Sequence, residues 1–479
     1  MSAHFTYTYA NELAACAPEV APTPLYRPQL QIVNSPLWEH LQLPASWLAD
    51  NELSRVLFTP DTPLTKQSVA QKYGGHQFGQ WNPLLGDGRG LLLAEVIDRN
   101  GQKVDLHLKG AGQTPWSRHA DGRAVLRSTI REYLASEYMH ALGIPTSRAL
   151  ALFTTDEPVY REQQERAAML IRTAPSHLRF GQFEYYHHSD DHANLDALFA
   201  YAFKYYFVAE AQAPQPHLAM LASIVSATAK MIAQWQVMGF NHGVMNTDNM
   251  SVHGITFDYG PYAFFDNFDP HFVCNRSDHK GRYRFSAQPS VGLWNLNALG
   301  QAFRRYATVE QITEVLDGYE AVFVQTYQQL LCARLALADT PEAREIANEF
   351  ITLLQQPARD YHLSFRALAE CQDWRAIRRL RDDYADPVRF TQWVDKYQAH
   401  VGPTPFLEFS IQLEAANPAI VLRNHHAQQV ISAAEQGYFS PFESYLAALQ
   451  NPFSPSSEQR QWASPPPADN KAVPLSCSS

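Results

Sequence analysis

Cysteine is scarce in this chain: five in 479 residues, at positions 16, 274, 332, 371 and 477. The number is odd and the spacing wide, which excludes a disulfide scaffold and any C-x-x-C zinc site. Basic charge is also short. Lys and Arg total 38 against 48 Asp and Glu, and the net charge of −10 argues against a general nucleic-acid-binding surface. No uninterrupted apolar run approaches the ~20 residues that span a bilayer. The first basic residue is Arg27, so the N-terminus offers neither the charged start of a signal peptide nor an Arg-rich transit sequence. The chain is expected to be cytoplasmic. No repeat shows at periods of 20–50 residues.

What is present suits a large globular protein. An apolar content of 46% with 12% aromatic residues is ample for sizeable cores, and the length admits two or three domains of about 100–200 residues. Residues 1–55 read as a Pro-punctuated extension of low periodicity. A Gly-rich segment, Tyr73 to Gly90, follows and contains G-D-G-R-G. Leu91–Ile97 has strand length, and Asp98-Arg-Asn-Gly101 carries a hairpin turn signal. Val104, Leu106 and Leu108 then alternate with Asp105, His107 and Lys109, the period-2 pattern of a half-buried strand with Lys109 on its polar face. Leu126, Ile130, Tyr133, Leu134 and Ala141 share one face of a helix closed by Gly143 and Pro145. A second amphipathic helix, marked by Leu221 to Trp235, ends at Gly239 and leads into His242. From about 295 to 450 the pattern is helical, and 451–479 reads as a mobile Pro/Ser-rich tail.

The segment entered at His242 is H-G-V-M-N-T-D-N, with D-Y-G at Asp258–Gly260. Kinase catalytic loops run H-R-D-x-x-x-x-N before D-F-G. The histidine, the asparagine (Asn249) and the D-x-G aspartate (Asp258) keep their places, but Val244 stands where the catalytic aspartate belongs. Asn249 and Asp258 supply hard oxygen donors of the kind Mg²⁺ takes beside nucleotide phosphates. The order upstream is that of a kinase small lobe: glycine loop (Gly86, Gly88, Gly90), strand, hairpin, strand ending in Lys109, helix with a glutamate. Glu137 lies on the helix's apolar face and Glu132 off it, so periodicity does not decide which meets Lys109. Lys109, Arg118, Arg123, Arg127 and Arg131, against Asp121 alone, make either a positive field for a polyphosphate or a solvated basic face. Arg172 and Arg179 suit phosphate recognition or salt bridges between lobes. The run His187-His-Ser-Asp-Asp-His192 lacks metal-ligand spacing and reads as a solvated polar loop.

Y-G-G-H-Q-F-G, L-G-D-G-R-G, H-L-K-G-A-G, D-G-R-A-V-L-R-S-T-I-R-E, A-P-S-H-L-R-F-G, H-G-V-M-N-T-D-N-M-S and D-Y-G-P-Y together resemble the selenoprotein O (YdiU) family, over essentially the whole chain. The resemblance implies an α+β, protein-kinase-like two-lobed fold: extension 1–55, N-lobe 56–180, a large helical C-lobe 181–450 and a tail 451–479. It implies a protein adenylyltransferase that moves AMP from ATP to Ser, Thr or Tyr hydroxyls of target proteins, with the nucleotide reversed relative to kinases. By position it assigns Gly86, Gly88 and Arg89 to the nucleotide, pairs Lys109 with Glu132, and sets Asp121, Gly122, Arg172 and Arg179 around the phosphates. Asp248 becomes the proton acceptor, and Asn249 and Asp258 the ligands of Mg²⁺ or Mn²⁺, with Asp258 also touching nucleotide. No nucleic-acid or membrane partner is implied. Some members carry selenocysteine near the chain end, where this chain has Cys477; a regulatory disulfide between Cys477 and Cys274 is the expectation there, against a free exposed thiol. The alternatives are a protein uridylyltransferase using UTP with Mn²⁺, an ordinary γ-phosphoryl kinase and an inactive pseudokinase scaffold.

Overall fold

The computed structural model describes residues 3–355, 357–467 and 475. Its centre is a seven-stranded antiparallel sheet. In chain order the strands concerned are β1 (His4–Thr6), β2 (Gln29–Val33), the separate hairpin β3 (Lys72–Gln77) and β4 (Gln80–Gly86), β5 (Gly90–Ile97), β6 (Lys103–Lys109), β7 (Ala124–Val125), β8 (Arg148–Tyr160) and β9 (Gln164–Ala174). The sheet order is β1-β5-β6-β9-β8-β2, with β7 on β9. Three short helices precede β3: α1 (Thr8–Glu12), α2 (Ser35–His40) and α3 (Glu52–Phe58). After β7 come α4 (Leu126–Ala141), α5 (Phe180–His188), α6 (His192–Tyr205), α7 (Pro216–Val237), α8 (Gln288–Gln301) and α9 (Val309–Arg334), with further helices to Leu449.

Both faces of the sheet are covered. Leu91, Leu93, Leu106, Leu108 and Ile171 pack against Trp38, Trp47, Leu53 and Leu57 of the first 60 residues. Leu92, Leu152 and Leu170 face α4 and join the largest core, which extends through α5 to α9. This explains the near-continuous apolar run of β5, since a strand buried on two sides has no solvated face to alternate with. It also changes the reading of β6. Asp105, His107 and Lys109 form a polar row, as alternation predicted, yet all three are buried rather than solvated.

Three further segments take definite form in the structure, and the last of them departs from expectation. Residues 1–55, read as an extension, are built into the sheet: β1 pairs with β5 and β2 with β8, and the two form its edge strands. The Gly-rich segment from Tyr73 forms the hairpin β3–β4 as far as Gly86, and its G-D-G-R-G part is the turn from β4 into β5. The hairpin is turned at Phe78 and Gly79, both at positive φ. That backbone fits a two-residue turn with the twist of the strands. The tail docks in its described part: Trp462 is buried against Tyr445 and His426, and Leu475 bridges to Asn275. By length and composition α7 alone among the described helices could cross a bilayer, with a mean hydropathy of 1.3 over its most apolar window. Its apolar side is instead filled by the main core, with Leu221, Ile224, Ile232 and Trp235 at most 1% exposed.

Candidate active site

Helix α7 aims the chain into the site. It ends at Val237, Gly239 turns at φ +63°, and the short ladder of β10 (Phe240–Asn241) with β11 (Ala263–Phe264) closes a loop over residues 242–262. His242 is buried, stacks on Trp235 with ring centres 5.4 Å apart, and contacts the Phe257 carbonyl oxygen through Nε2 at 3.2 Å. Its burial pushes its pKa down. A neutral, enclosed imidazole of this kind holds the loop in shape.

The loop faces a cleft of about 710 Å³ between itself and the sheet. Gly86, Gly88, Arg89, Lys109, Asp121, Gly122, Arg172, Asn249 and Asp258 all line it, as does Val244. Nine sequence-predicted residues from six separate stretches therefore converge. Gly122 is constrained by space as well as by its φ of +71°: a Cβ there would lie 2.0 Å from the Gly112 carbonyl oxygen.

The charged groups form one chain of contacts. Lys109 Nζ donates to Glu132 Oε2. Glu132 Oε1 accepts from Arg172 Nη1 at 3.0 Å, and the same nitrogen reaches Asp258 Oδ1 at 2.5 Å. Asp258 Oδ2 accepts from Arg179 Nη1 at 2.6 Å, and that nitrogen also donates to the Asp248 carbonyl oxygen at 2.7 Å. Burial opposes ionisation of both carboxylates. It is outweighed: Lys109 and Arg172 hold the Glu132 pKa below its ordinary value, and Arg172 and Arg179 hold Asp258 well below. Asp258 also sits at φ +56°, a left-handed backbone that aspartate tolerates better than most residues and that this network sustains.

Glu132, not Glu137, meets Lys109. Glu137 is occupied by Arg148, at 2.7 Å through each oxygen, and by Asn34. Arg179 lies deeper than the sequence reading set it, at 1% exposure between the Tyr73 and Phe257 rings, and does not line the cleft. Asp248 also lies off the cleft wall, under the β3–β4 hairpin. Its Oδ2 accepts from Gln77 Nε2 at 3.4 Å, its Oδ1 has no partner among the described residues, and burial pushes its pKa up to about 7. Asn249 donates through Nδ2 to the Val244 carbonyl oxygen at 3.0 Å, which makes Oδ1 the end available to a cation.

Of the five cations in the expected positive field, Arg127 pairs with Glu165 and Arg131 with Asn424 and the Tyr262 carbonyl oxygen, while Arg118 lines the cleft. Arg123 touches the cleft but is bound to Glu157. Sequence reasoning missed Arg161, which reaches over from the β8–β9 turn to grip Asp121 at 2.8 Å and 2.9 Å. No local pattern marks an arginine 40 positions away. It also missed Trp116 and Ser117 on the cleft wall, whose signal was the stretch directly after H-L-K-G-A-G. Cys274 is buried, donates to Asn241 Oδ1 at 2.6 Å, and has its thiol pKa pushed up by burial; Cys477 lies outside the described residues.

Similarity to known proteins agrees with this geometry. The family described as protein adenylyltransferase SelO matches residues 1–450. A protein nucleotidyltransferase YdiU of Pseudoalteromonas atlantica is 51% identical over 476 residues, 99% of each chain. Those of Pseudomonas fluorescens SBW25 and Salmonella heidelberg are 43% and 42% identical over 98% and 100% of this chain, and over 99% and 100% of their own. A match of this extent, on a chain whose motif residues meet in one cleft, makes this protein a member of the SelO family of protein nucleotidyltransferases.

Proposed function

We propose that this chain is a protein adenylyltransferase of kinase-like architecture that moves AMP from ATP to Ser, Thr or Tyr hydroxyls of other proteins. The observation that carries this reading is the conjunction at the loop: Val244 lines the cleft where a kinase keeps its base, while Lys109, Glu132, Arg172, Asn249 and Asp258 stay assembled around it. A hydrocarbon cannot accept a proton, so the intact phosphate-handling groups serve a transfer in which the base stands elsewhere. The attacking hydroxyl oxygen bonds to the α-phosphorus, the α–β bridging bond breaks, and pyrophosphate leaves. The hydroxyl proton is assigned to Asp248, whose Oδ1 has no partner among the described residues and whose raised pKa suits a general base near neutrality. Because the β3–β4 hairpin lies over that oxygen, the assignment requires the hairpin to give way as the target hydroxyl enters.

Asn249 and Asp258 would hold Mg²⁺ or Mn²⁺, which when bound neutralises phosphate charge. The donor set fits: Asp258 is an ionised carboxylate on the cleft wall, and Asn249, on the same wall, has its amide nitrogen tied to Val244 and its amide oxygen left for a cation. Lys109, Arg89 and Arg172 stabilise charge on the departing pyrophosphate. Incubating the protein with ATP labelled at the α or the γ position decides the reaction. Label entering protein only from α, and lost in Asp258→Ala, is expected. Label only from γ means a kinase, and none means a scaffold. A parallel arm with UTP and Mn²⁺ tests uridylyl transfer.

Redox control of the same protein is supported by the return of the chain end. Arg276 N donates to the Leu475 carbonyl oxygen at 2.9 Å, beside Cys274 and two positions before Cys477. A non-reducing peptide map after mild peroxide should contain a 274–477 link, and its absence removes this reading.

A further inference from the structure

His76, Glu184 and His188 converge outside the cleft. His76 stands near the tip of the β3–β4 hairpin, opposite Trp81. Glu184 and His188 are four residues apart on α5 and so share one face of that helix. One donor atom from each of the three lies within 4.8 Å of the others. His76 Nδ1 is 2.5 Å from Glu184 Oε2, and the Glu184 side chain is 0% exposed. Glu184 Oε1 is buried and has no hydrogen-bond partner among the described residues. A His–Glu hydrogen bond accounts for one carboxylate oxygen only. The other carries the full cost of an unsatisfied buried acceptor, in a cluster that also holds the His188 imidazole.

We propose that His76, Glu184 and His188 bind one divalent transition-metal ion of the zinc type, which fastens the β3–β4 hairpin to α5. Two imidazoles and a carboxylate are a recurrent zinc donor set that leaves a fourth position for water. Imidazole nitrogen favours such ions over Mg²⁺ and Ca²⁺, which take oxygen ligands, so this site differs in chemistry as well as place from Asn249 and Asp258. The rings of Trp81 and Trp294 wall the cluster, with centres 4.4 Å from His188 and 5.2 Å from His76 respectively. The exposed side of His188 leaves an approach from solvent.

The ion would act on the rest of the molecule through the hairpin. The His76 backbone N–H donates to Thr247 Oγ1 at 2.7 Å, and its neighbour Gln77 contacts Asp248. Fixing His76 to α5 therefore fixes the backbone that lies on the Thr247–Asp248 turn.

Cobalt is a suitable probe, because Co²⁺ held by imidazoles in a four-coordinate site absorbs visible light far more strongly than six-coordinate Co²⁺ on oxygen ligands. The full chain, stripped with a chelator, should bind one equivalent of Co²⁺ with the strong spectrum and surrender it to Zn²⁺. Asp258→Ala should keep that spectrum. His188→Ala and the near-isosteric Glu184→Gln should lose it, with Zn²⁺ affinity by equilibrium dialysis falling about 100-fold or more. Zn²⁺ should raise the melting temperature of the parent chain but not of His188→Ala. Circular dichroism of the metal-free variants checks that they fold, and His188, exposed at the helix end, should tolerate truncation. Only the weak six-coordinate spectrum, or a strong one that survives both His188→Ala and Glu184→Gln, overturns the proposal.

Discussion

Glu132 serves two cations at once, Lys109 through one oxygen and Arg172 through the other, with 1% of its side chain exposed. Lys109 and Arg172 are almost as enclosed, at 7% and 5%. Glu132→Gln keeps the volume but leaves two buried positive charges short of a partner, a change that costs roughly 3–5 kcal/mol. The expected result is a lower urea midpoint with little change in slope, together with loss of transfer. A midpoint equal to the parent's would show that the pair carries no net stability. Lys109 was legible in the sequence as the end of an alternating strand. Its partner was not. Helix α4 is buried at every position except Arg127, His140 and Ala141, so an argument from an apolar face has nothing to choose between Glu132 and Glu137. The resemblance in the flanking motif chose Glu132, and the geometry agrees because Arg148 and Asn34 already occupy Glu137.

At the scale of elements, the β3–β4 hairpin sets where Asp248 can be. A Cβ on Gly75 would fall 2.5 Å from Asp248 Oδ1 and 2.9 Å from its Cβ. Gly75→Ala must therefore shift the hairpin or the carboxylate by a substantial part of an ångström. Misplacement by about 1 Å can cost 10²-fold in rate, and a loss of that order is expected while the melting temperature moves little. A full rate in Gly75→Ala would remove Asp248 from the chemistry. The hairpin itself was hard to read, because Y-G-G-H-Q-F-G is rich in glycine and glycine signals a loop more often than a strand. Here glycine is required by close approach. Strand β6 and the helices α4 and α7 were readable by their apolar period, and β5 by an apolar run of strand length. His76 lay in a motif with no assigned chemistry, and His188 in a run that by spacing alone reads as solvated. Only the packing of the hairpin on α5 brings them together.

For the whole molecule, several histidines are buried without charge. Burial pushes the pKa of His253 down to about 4, and those of His177 and His362 well below the ordinary value. The folded chain thus binds fewer protons at these sites than the unfolded chain, in which histidine titrates near pH 6.5. Their contribution to stability is complete above pH 6.5 and is lost as the pH falls towards 4, at about 1.4 kcal/mol per pH unit for each fully protonation-linked site. The urea midpoint should fall steadily across that window. Replacing His253, which is bonded to Ser176 Oγ at 2.6 Å, by Asn should flatten the slope. An unchanged slope would mean that His253 is protonated in the fold.

The first 33 residues also decide what the central sheet offers to other molecules. β1 covers the outer hydrogen-bonding side of β5 at Glu95–Ile97, and β2 covers that of β8 at Ala151–Thr154. Without them, Glu95–Ile97 and Ala151–Thr154 would present unpaired backbone N–H and C=O groups to any extended chain nearby. A segment that looks dispensable by its periodicity is thus the molecule's protection against joining sheets with its own copies. A shortened chain starting after Val33 is expected to be lost to aggregation before the integrity of its cleft could matter.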